Sequence, residues 1–289
     1  MIKKGGVVTN LILLLLLVVP WLMLADQPVD CLPACGYYNE PFGNSPREGV
    51  RNFLYNMGLV VKEAVSLDTM LILTGFTPLY LSARMLDEEV HRGFYDSRSH
   101  KNLDYPKRCL EWTTHGSMVL PILGLSGLMQ FSSNPRVRMT GAIAMSGITV
   151  TQITNQLIKH IAALQPLRAG ARPRNEYFCP HRRVYNGFPS GHTMGCAYIT
   201  VLCGLQLGAR WAIPVGTVCG VISGLTIQCN RHYLSQVVAG IAVGTVFAVA
   251  SSKVVEAKLS GRYAWCKNVE FVAETDQRKR PSLRLSYLF

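Results

Sequence analysis

The sequence predicts an all-α fold: a polytopic membrane helical bundle of six core transmembrane helices, preceded by an N-terminal signal peptide or signal anchor. Hydrophobic residues make up 49% of the 289-residue chain and charged residues 16%, and the apolar residues fall in long blocks. A helix needs about 20 mostly apolar residues to cross the hydrocarbon core of a bilayer, and several of these blocks are of that size. A water-soluble helix would break such runs with a polar face every three or four positions.

In chain order, residues 1–25 carry Lys3 and Lys4 and then an unbroken apolar run that ends before Asp26. The run has signal-peptide length and Ala25 suits the position before a cut, whereas Met23 is a poor residue at the second small position, so peptide and anchor both stand. Residues 26–63 form a polar segment, loop first and then an amphipathic helix near 52–62. Residues 64–255 hold the six apolar blocks, at about 64–86, 115–131, 139–164, 193–209, 211–228 and 235–255. Two long polar loops, 87–114 and 165–192, separate them; the other connections are short. Glycines four apart mark the last three helices: Gly204/Gly208, Gly216/Gly220/Gly224 and Gly240/Gly244. Such spacing lets helices approach closely in lipid, where packing drives association. The tail, residues 256–289, is basic and polar, and little fixed structure is expected of it.

The formal charge is +12, yet the basic residues form no aromatic-interleaved patch. They sit in loops and in the tail, as membrane-surface and topogenic charge does, so nucleic acid is not an expected partner and the lipid bilayer is. Nine cysteines cannot all pair within the chain. Cys31 and Cys35 bracket a loop where a disulfide is possible if that loop is extracytoplasmic. No second Cys or His pair stands at ligand spacing beside them, which argues against zinc.

Six helices in series put their loops alternately on two faces. The two long loops and the short loop before the last helix therefore share one face, and the chemically interesting residues fall there. The second long loop holds Arg168, Arg172, Arg174, His181, Arg182 and Arg183, then Pro189-Ser190-Gly191-His192 where a helix begins. A helix start preceded by Ser-Gly offers backbone amides and the positive end of a dipole to an anion. Guanidinium groups nearby bind phosphate oxygens in pairs. On the same face Asn230-Arg231-His232-Tyr233 precedes the last helix. Two histidines at the mouths of helices, among arginines, suit phosphoryl transfer, with one as nucleophile and the other as acid. Either histidine alone would equally be a dipole-stabilised interfacial residue. Asp68, near the end of its block on the opposite face, reads as structural, and Thr149, Thr151, Gln152, Thr154, Asn155 and Gln156 read as contacts to neighbouring helices.

The chain resembles the type 2 phosphatidic acid phosphatase family, whose relatives include vanadium haloperoxidases. Pro189-Ser190-Gly191-His192 is that family's second signature complete, and residues 232–240 resemble the end of its third, over a matching region of about 64–255. The resemblance implies His232 as the nucleophile that becomes phosphohistidine and His192 as the general acid, later the base that activates water. It further implies Ser190 and the Gly191 amide as phosphate holders, Lys159 and Arg172 as a charged clamp, and a reaction that needs no cofactor or metal.

The sequence departs from the pattern at three points. Pro166 stands where the first signature has Arg, and Arg172-Pro173 restores the pair only after about six further residues. Leu225-Thr226 replaces a Ser-Arg, with Arg231 as the nearest alternative guanidinium. Gln236 stands where an Asp orients the nucleophile; Gln offers a carbonyl oxygen but no charge, and its amide can flip. The expected function is a membrane phosphatase releasing phosphate from a lipid phosphate or diphosphate. The alternatives are an impaired or inactive relative that binds phosphorylated lipids or acts as a scaffold, and a lipid phosphotransferase. Lys3 and Lys4 favour a cytoplasmic site when six spans are counted, while the basic tail and the resemblance favour an extracytoplasmic one, which is the expectation adopted.

Overall fold

The computed structural model describes residues 46–94, 118–164, 187–228, 231–260, 269–275 and 281–287. Cys31, Cys35, Arg172, the N-terminal apolar segment and most of the two long loops lie outside them. Seven helices run through the described residues: α1 (Pro46–Ala64), α2 (Leu67–Phe94), α3 (Val119–Met129), α4 (Pro135–Leu164), α5 (Gly191–Leu207), α6 (Ala209–Gln228) and α7 (Leu234–Leu259). All six expected blocks and the amphipathic segment contain a helix. Two strands, β1 (Val269–Thr275) and β2 (Pro281–Tyr287), pair antiparallel in the tail, with Val269 opposite Tyr287 and Thr275 opposite Pro281. That corrects the expectation of a structureless tail. In β2, Leu283, Leu285 and Tyr287 alternate with Ser282, Arg284 and Ser286, the period-2 pattern of a strand.

Helix α7 is the axis of the bundle and packs against α5, α2, α4 and α1, while α6 lies on α5 and α3 on α4. Its small residues explain why. A Cβ on Gly240 would meet the Ser190 carbonyl oxygen at 2.7 Å, and one on Gly244 would overlap the Met194 carbonyl oxygen, both on the α5 side. The expected close approach is therefore real at Gly240/Gly244. It is moderate at Gly204 and Gly216, which face Ala212 and Thr200 across the α5–α6 contact. Gly220 and Gly224 have nothing within 4 Å. Gly208 serves differently: its φ of 89° lets the chain reverse between α5 and α6 in one residue, in a region that a side chain would disfavour. Gly141 and Gly147 in α4, outside the expected spacing, are the tighter glycines on that helix, Gly147 lying under the Tyr198 hydroxyl. Tyr198 is fully buried and its hydroxyl meets Ser251 Oγ at 3.1 Å and the Ala144 carbonyl at 3.3 Å, tying α5, α7 and α4 at mid-bundle.

Among the described residues two helices, α6 and α7, are long and apolar enough to cross a membrane. Helix α3 has 11 residues, about 16 Å at 1.5 Å per residue, and does not by itself cover the roughly 30 Å of a hydrocarbon core. The outer surface is nonetheless apolar: Met85 is 85% exposed, Phe131 81% and Ile213 67%, on three different parts of the bundle. An apolar exterior around a bundle whose buried residues include Asn155, Gln152 and Asp87 is the arrangement lipid demands.

The two ends of the bundle differ as the alternation of loops requires. At one end the start of α2, the start of α4, the end of α5 and the end of α7 come together. There Lys253 bonds Asp68, Ser66 (3.3 Å) and Thr69 (2.9 Å), Arg136 bonds Glu256 and Gln206 (3.0 Å), and Gln206 reaches Ser252 Oγ at 2.7 Å. Asp68 is thus an ion-paired structural residue. Helix α1 packs across α4 and the last turns of α7: Ser146 Oγ donates to the Phe53 carbonyl at 3.3 Å, and the Lys258 ammonium lies 5.5 Å from the Tyr55 ring. The polar motifs occupy the other end.

Candidate active site

The site is built where α5 and α7 begin and α4 and α2 approach their ends. Ser190 caps α5: its side chain meets Thr193 Oγ1 at 3.0 Å and accepts from the Thr193 amide at 3.4 Å, and its carbonyl takes the Met194 amide at 2.9 Å. Its amide donates to the Gln236 carbonyl at 3.0 Å, which joins the start of α5 to the first turn of α7. The Ser190 hydroxyl, expected to hold phosphate, is therefore engaged in capping. The amides of Gly191 and His192, in the first turn of α5, belong to the set that a helix leaves without intrahelical acceptors. Across the site, Gln152 Nε2 donates to the Gly191 carbonyl at 3.3 Å, and Asn155 Nδ2 donates to Gln152 Oε1 at 3.0 Å, bringing α4 to the same turn. The Phe188 ring meets Tyr80 of α2 edge-on, 6.1 Å between centroids. Of the α4 polar residues, Gln152 does contact a neighbouring helix. Thr149 and Thr151 instead bond carbonyls of their own helix, at Met145 and Gly147, as a hydroxyl one turn on from a carbonyl readily does.

His232 lies between α6 and α7 and is 8% exposed. Its backbone is held by the Thr226 carbonyl, which accepts from the Arg231 amide at 2.9 Å and the His232 amide at 3.2 Å. Thr226 thus serves through its backbone, its own hydroxyl being turned to the Ser223 carbonyl at 2.7 Å. His232 Nδ1 is 3.2 Å from Gln236 Oε1, and the Tyr233 amide donates to the same oxygen at 3.1 Å. An amide N–H can only donate, so the atom facing it is the Gln236 oxygen. The ring nitrogen against that oxygen must then carry the proton, which leaves Nε2 with a free lone pair. The flip that a glutamine permits is blocked here by the backbone.

Burial is the main cause that pushes the His232 pKa down to about 3. The charges of Lys159, His192 and Arg231 act in the same direction, and the Gln236 hydrogen bond opposes them. Lys159 and Arg231 are also close enough to act on His192. Of the sequence-expected residues, the fold therefore brings together His232, His192, Gln236, Lys159, Arg231, Ser190 and Gly191. Arg172 lies outside the described residues. Two participants go beyond the sequence expectations. Asp87, expected at the start of a solvated loop, is instead inside α2 and 2% exposed, its carboxylate accepting from the Ser235 amide (2.8 Å) and hydroxyl (2.7 Å). Gln152, expected only as a helix contact, reaches the signature turn itself. An Asp followed by two Glu carries no local signal of burial. Among the described residues no cluster of His, Cys, Asp or Glu is arranged to hold a metal ion.

Residues 140–260 match the profile of the PAP2 superfamily, a span that contains Lys159, the Pro-Ser-Gly-His turn and His232 through Gln236. Among curated proteins none matches this chain in sequence. The crystal structure of a transmembrane PAP2-type phosphatidylglycerolphosphate phosphatase from Bacillus subtilis is similar with a TM-score of 0.46 at 16% identity, over 65% of this chain and 96% of that one. The signature turn and the histidine pair both lie inside the span that matches the PAP2 superfamily.

Proposed function

We propose that the protein is an integral membrane phosphatase that releases phosphate from a lipid phosphate or diphosphate through a phosphohistidine on His232. The observation that carries this is the contact geometry of Gln236: its Oε1 accepts from the Tyr233 amide at 3.1 Å and lies 3.2 Å from His232 Nδ1, an arrangement that calls for the hydrogen on Nδ1 and leaves Nε2 as a neutral nucleophile. Nε2 attacks phosphorus and the bond from phosphorus to the lipid oxygen breaks. The leaving oxygen takes a proton from His192, in the first turn of α5. Water then attacks the phosphohistidine, His192 accepts its proton, the phosphorus–nitrogen bond breaks and inorganic phosphate departs. Lys159, Arg231 and the Gly191 amide stabilise the charge that gathers on the phosphoryl oxygens, as preorganised donors do in a dry site.

The bundle from α2 to α7 sits in the bilayer in this reading, with the site at one membrane surface where an amphiphile can present its headgroup while its tails remain in lipid. The basic tail leaves from the far end of α7. With that tail on the cytoplasmic side, the site faces away from the cytoplasm.

A second reading is favoured by one observation, the neutral Gln236 in place of a carboxylate: a protein that binds phosphorylated lipid and turns it over slowly or not at all. In a serine-protease triad, loss of the orienting carboxylate costs about ten-thousandfold in rate. The two readings are separated by phosphate release in detergent–lipid micelles from wild type, His232→Ala and His192→Ala. Release that both substitutions abolish, with an acid-labile phosphoenzyme trapped in wild type and absent from His232→Ala, supports the phosphatase. Release that survives His232→Ala refutes it, and lipid phosphate binding without release supports the second reading.

A further inference from the structure

Asp87 lies outside the sequence motifs of the site. It sits in α2 and is nearly completely buried, and its two carboxylate oxygens accept from the amide and the hydroxyl of Ser235 at 2.8 and 2.7 Å. Ser235 is the second residue of α7 and the immediate neighbour of Gln236. A helix start usually takes its capping acceptor from the residue just before it. In α7 the donors are divided differently: the Gln236 side chain takes the Tyr233 amide, and Asp87, 148 residues away in sequence, takes the Ser235 amide. The carboxylate is thus aimed at the positive end of the axial helix, through charge-assisted hydrogen bonds, from a different helix of the bundle.

We propose that Asp87 is a positioning residue for the histidine site, holding the first turn of α7 so that Gln236 presents its oxygen to His232 Nδ1. This rests on the reading of His232 as nucleophile. Gln236 is held from three directions. The Tyr233 amide engages its side-chain oxygen, the Ser190 amide engages its backbone carbonyl, and Asp87 fixes the residue before it. A neutral amide at 236 holds a histidine less strongly than a carboxylate would, so the rigidity of this turn carries a larger share of the orientation. A fixed negative charge then resides one residue from Gln236, on α2. The hydroxyl of Ser235 gains a function as well: it is the second tooth of the clamp, which explains a buried serine beside the site.

The test uses the full chain in detergent–lipid micelles with 15N-labelled histidine. His232 is assigned by the signals lost in His232→Gln, and its ring shifts show which nitrogen is protonated. Wild type should show one tautomer, with the proton on Nδ1. Asp87→Ala should mix the tautomers and lower kcat by about tenfold or more with KM changed little, since misplacement by about 1 Å can cost on the order of a hundredfold. Ser235→Ala removes one of the two hydrogen bonds with little change of volume and should give the same effects in smaller measure, which decides the matter if Asp87→Ala does not fold. Asp87→Asn keeps an acceptor for the Ser235 amide and should restore the wild-type tautomer. An unchanged tautomer with unchanged kcat in Ser235→Ala and in folded Asp87→Ala overturns the proposal. The spectra need no turnover, so a wild type that releases no phosphate defeats the phosphatase reading while the tautomer still decides the role of Asp87.

Discussion

Gly240→Ala is the sharpest probe of the packing that makes the site. A Cβ there would stand 2.7 Å from the Ser190 carbonyl oxygen, 3.3 Å from the Met194 amide nitrogen and 3.3 Å from Thr193 Cβ. Ordinary contact begins near 3.4 Å, so the start of α5 must retreat by roughly 0.5–1 Å, because these neighbours are mostly backbone and cannot swing aside. Overpacking of this kind costs about 1–3 kcal/mol. Alanine in place of glycine also returns up to about 1 kcal/mol of helix propensity, which would blur the result. Gly220→Ala supplies the control: the same chemical change, in helix α6, with nothing within 4 Å of the new methyl. The propensity gain is common to both, so the two variants should differ by about 1–3 kcal/mol in unfolding, Gly240→Ala being the less stable. The same retreat displaces the Ser190 amide from the Gln236 carbonyl and shifts His192, two residues on, relative to His232. Phosphate release should then fall by about ten- to a hundredfold in Gly240→Ala and stay near wild type in Gly220→Ala. Thermal unfolding in detergent and initial rates on the same preparations measure both. Equal unfolding and equal rates in the two variants would refute the claim that contact between the α5 and α7 backbones sets the site.

The low pKa of His232 makes a second prediction with a definite sign. The folded chain keeps this ring neutral down to about pH 3, whereas the unfolded chain takes up the proton below about 6.5. The unfolded state binds more protons between those values, so stability falls as pH drops from 6.5, by up to about 1.4 kcal/mol per unit for this one group. Melting curves at pH 7, 6 and 5 should show it, and His232→Gln should flatten the trend. Gln236→Asp should raise kcat, by strengthening the bond to Nδ1 and adding charge, with KM little changed; a fall in kcat would mean that the site is tuned to a neutral partner. Lys159→Ala should raise KM for lipid phosphate more than it lowers stability, as binding and melting measurements on one preparation would show. Lys253→Ala removes the ion pair with the exposed Asp68 at the far end of the bundle, and it should change the melting temperature little and leave the rate unchanged.

The existence of the helices was legible because its signal is local: each apolar block is a contiguous run, and each contains a helix. The boundary expected at residue 86 is displaced for a physical reason. Asp87 and the two glutamates after it look like the start of a solvated loop, but the helix continues to Phe94 and a partner from another helix satisfies the carboxylate. In the block at 115–131, helix α3 occupies Val119–Met129 and stops short of Phe131, which apolar composition does not reveal. The glycine pattern was half informative: spacing marks where helices can approach, and only Gly240 and Gly244 of the pairs lie where two backbones nearly touch.

The sequence by itself determined the all-helical core, the Pro-Ser-Gly-His motif at a helix start, Pro189–His192, and the grouping of the polar motifs at one end of the bundle. All three follow from runs, short motifs and the alternation of loops, which depend on neighbours in the chain. The folded helix start decided how Gln236 behaves. A glutamine has two chemically different ends, and the choice between them was made by the Tyr233 amide once the first turn of α7 had formed. Only the tertiary structure turned Asp87 into a clamp on Ser235, 148 residues away, because the charge of a buried carboxylate is satisfied by whichever donors packing brings to it.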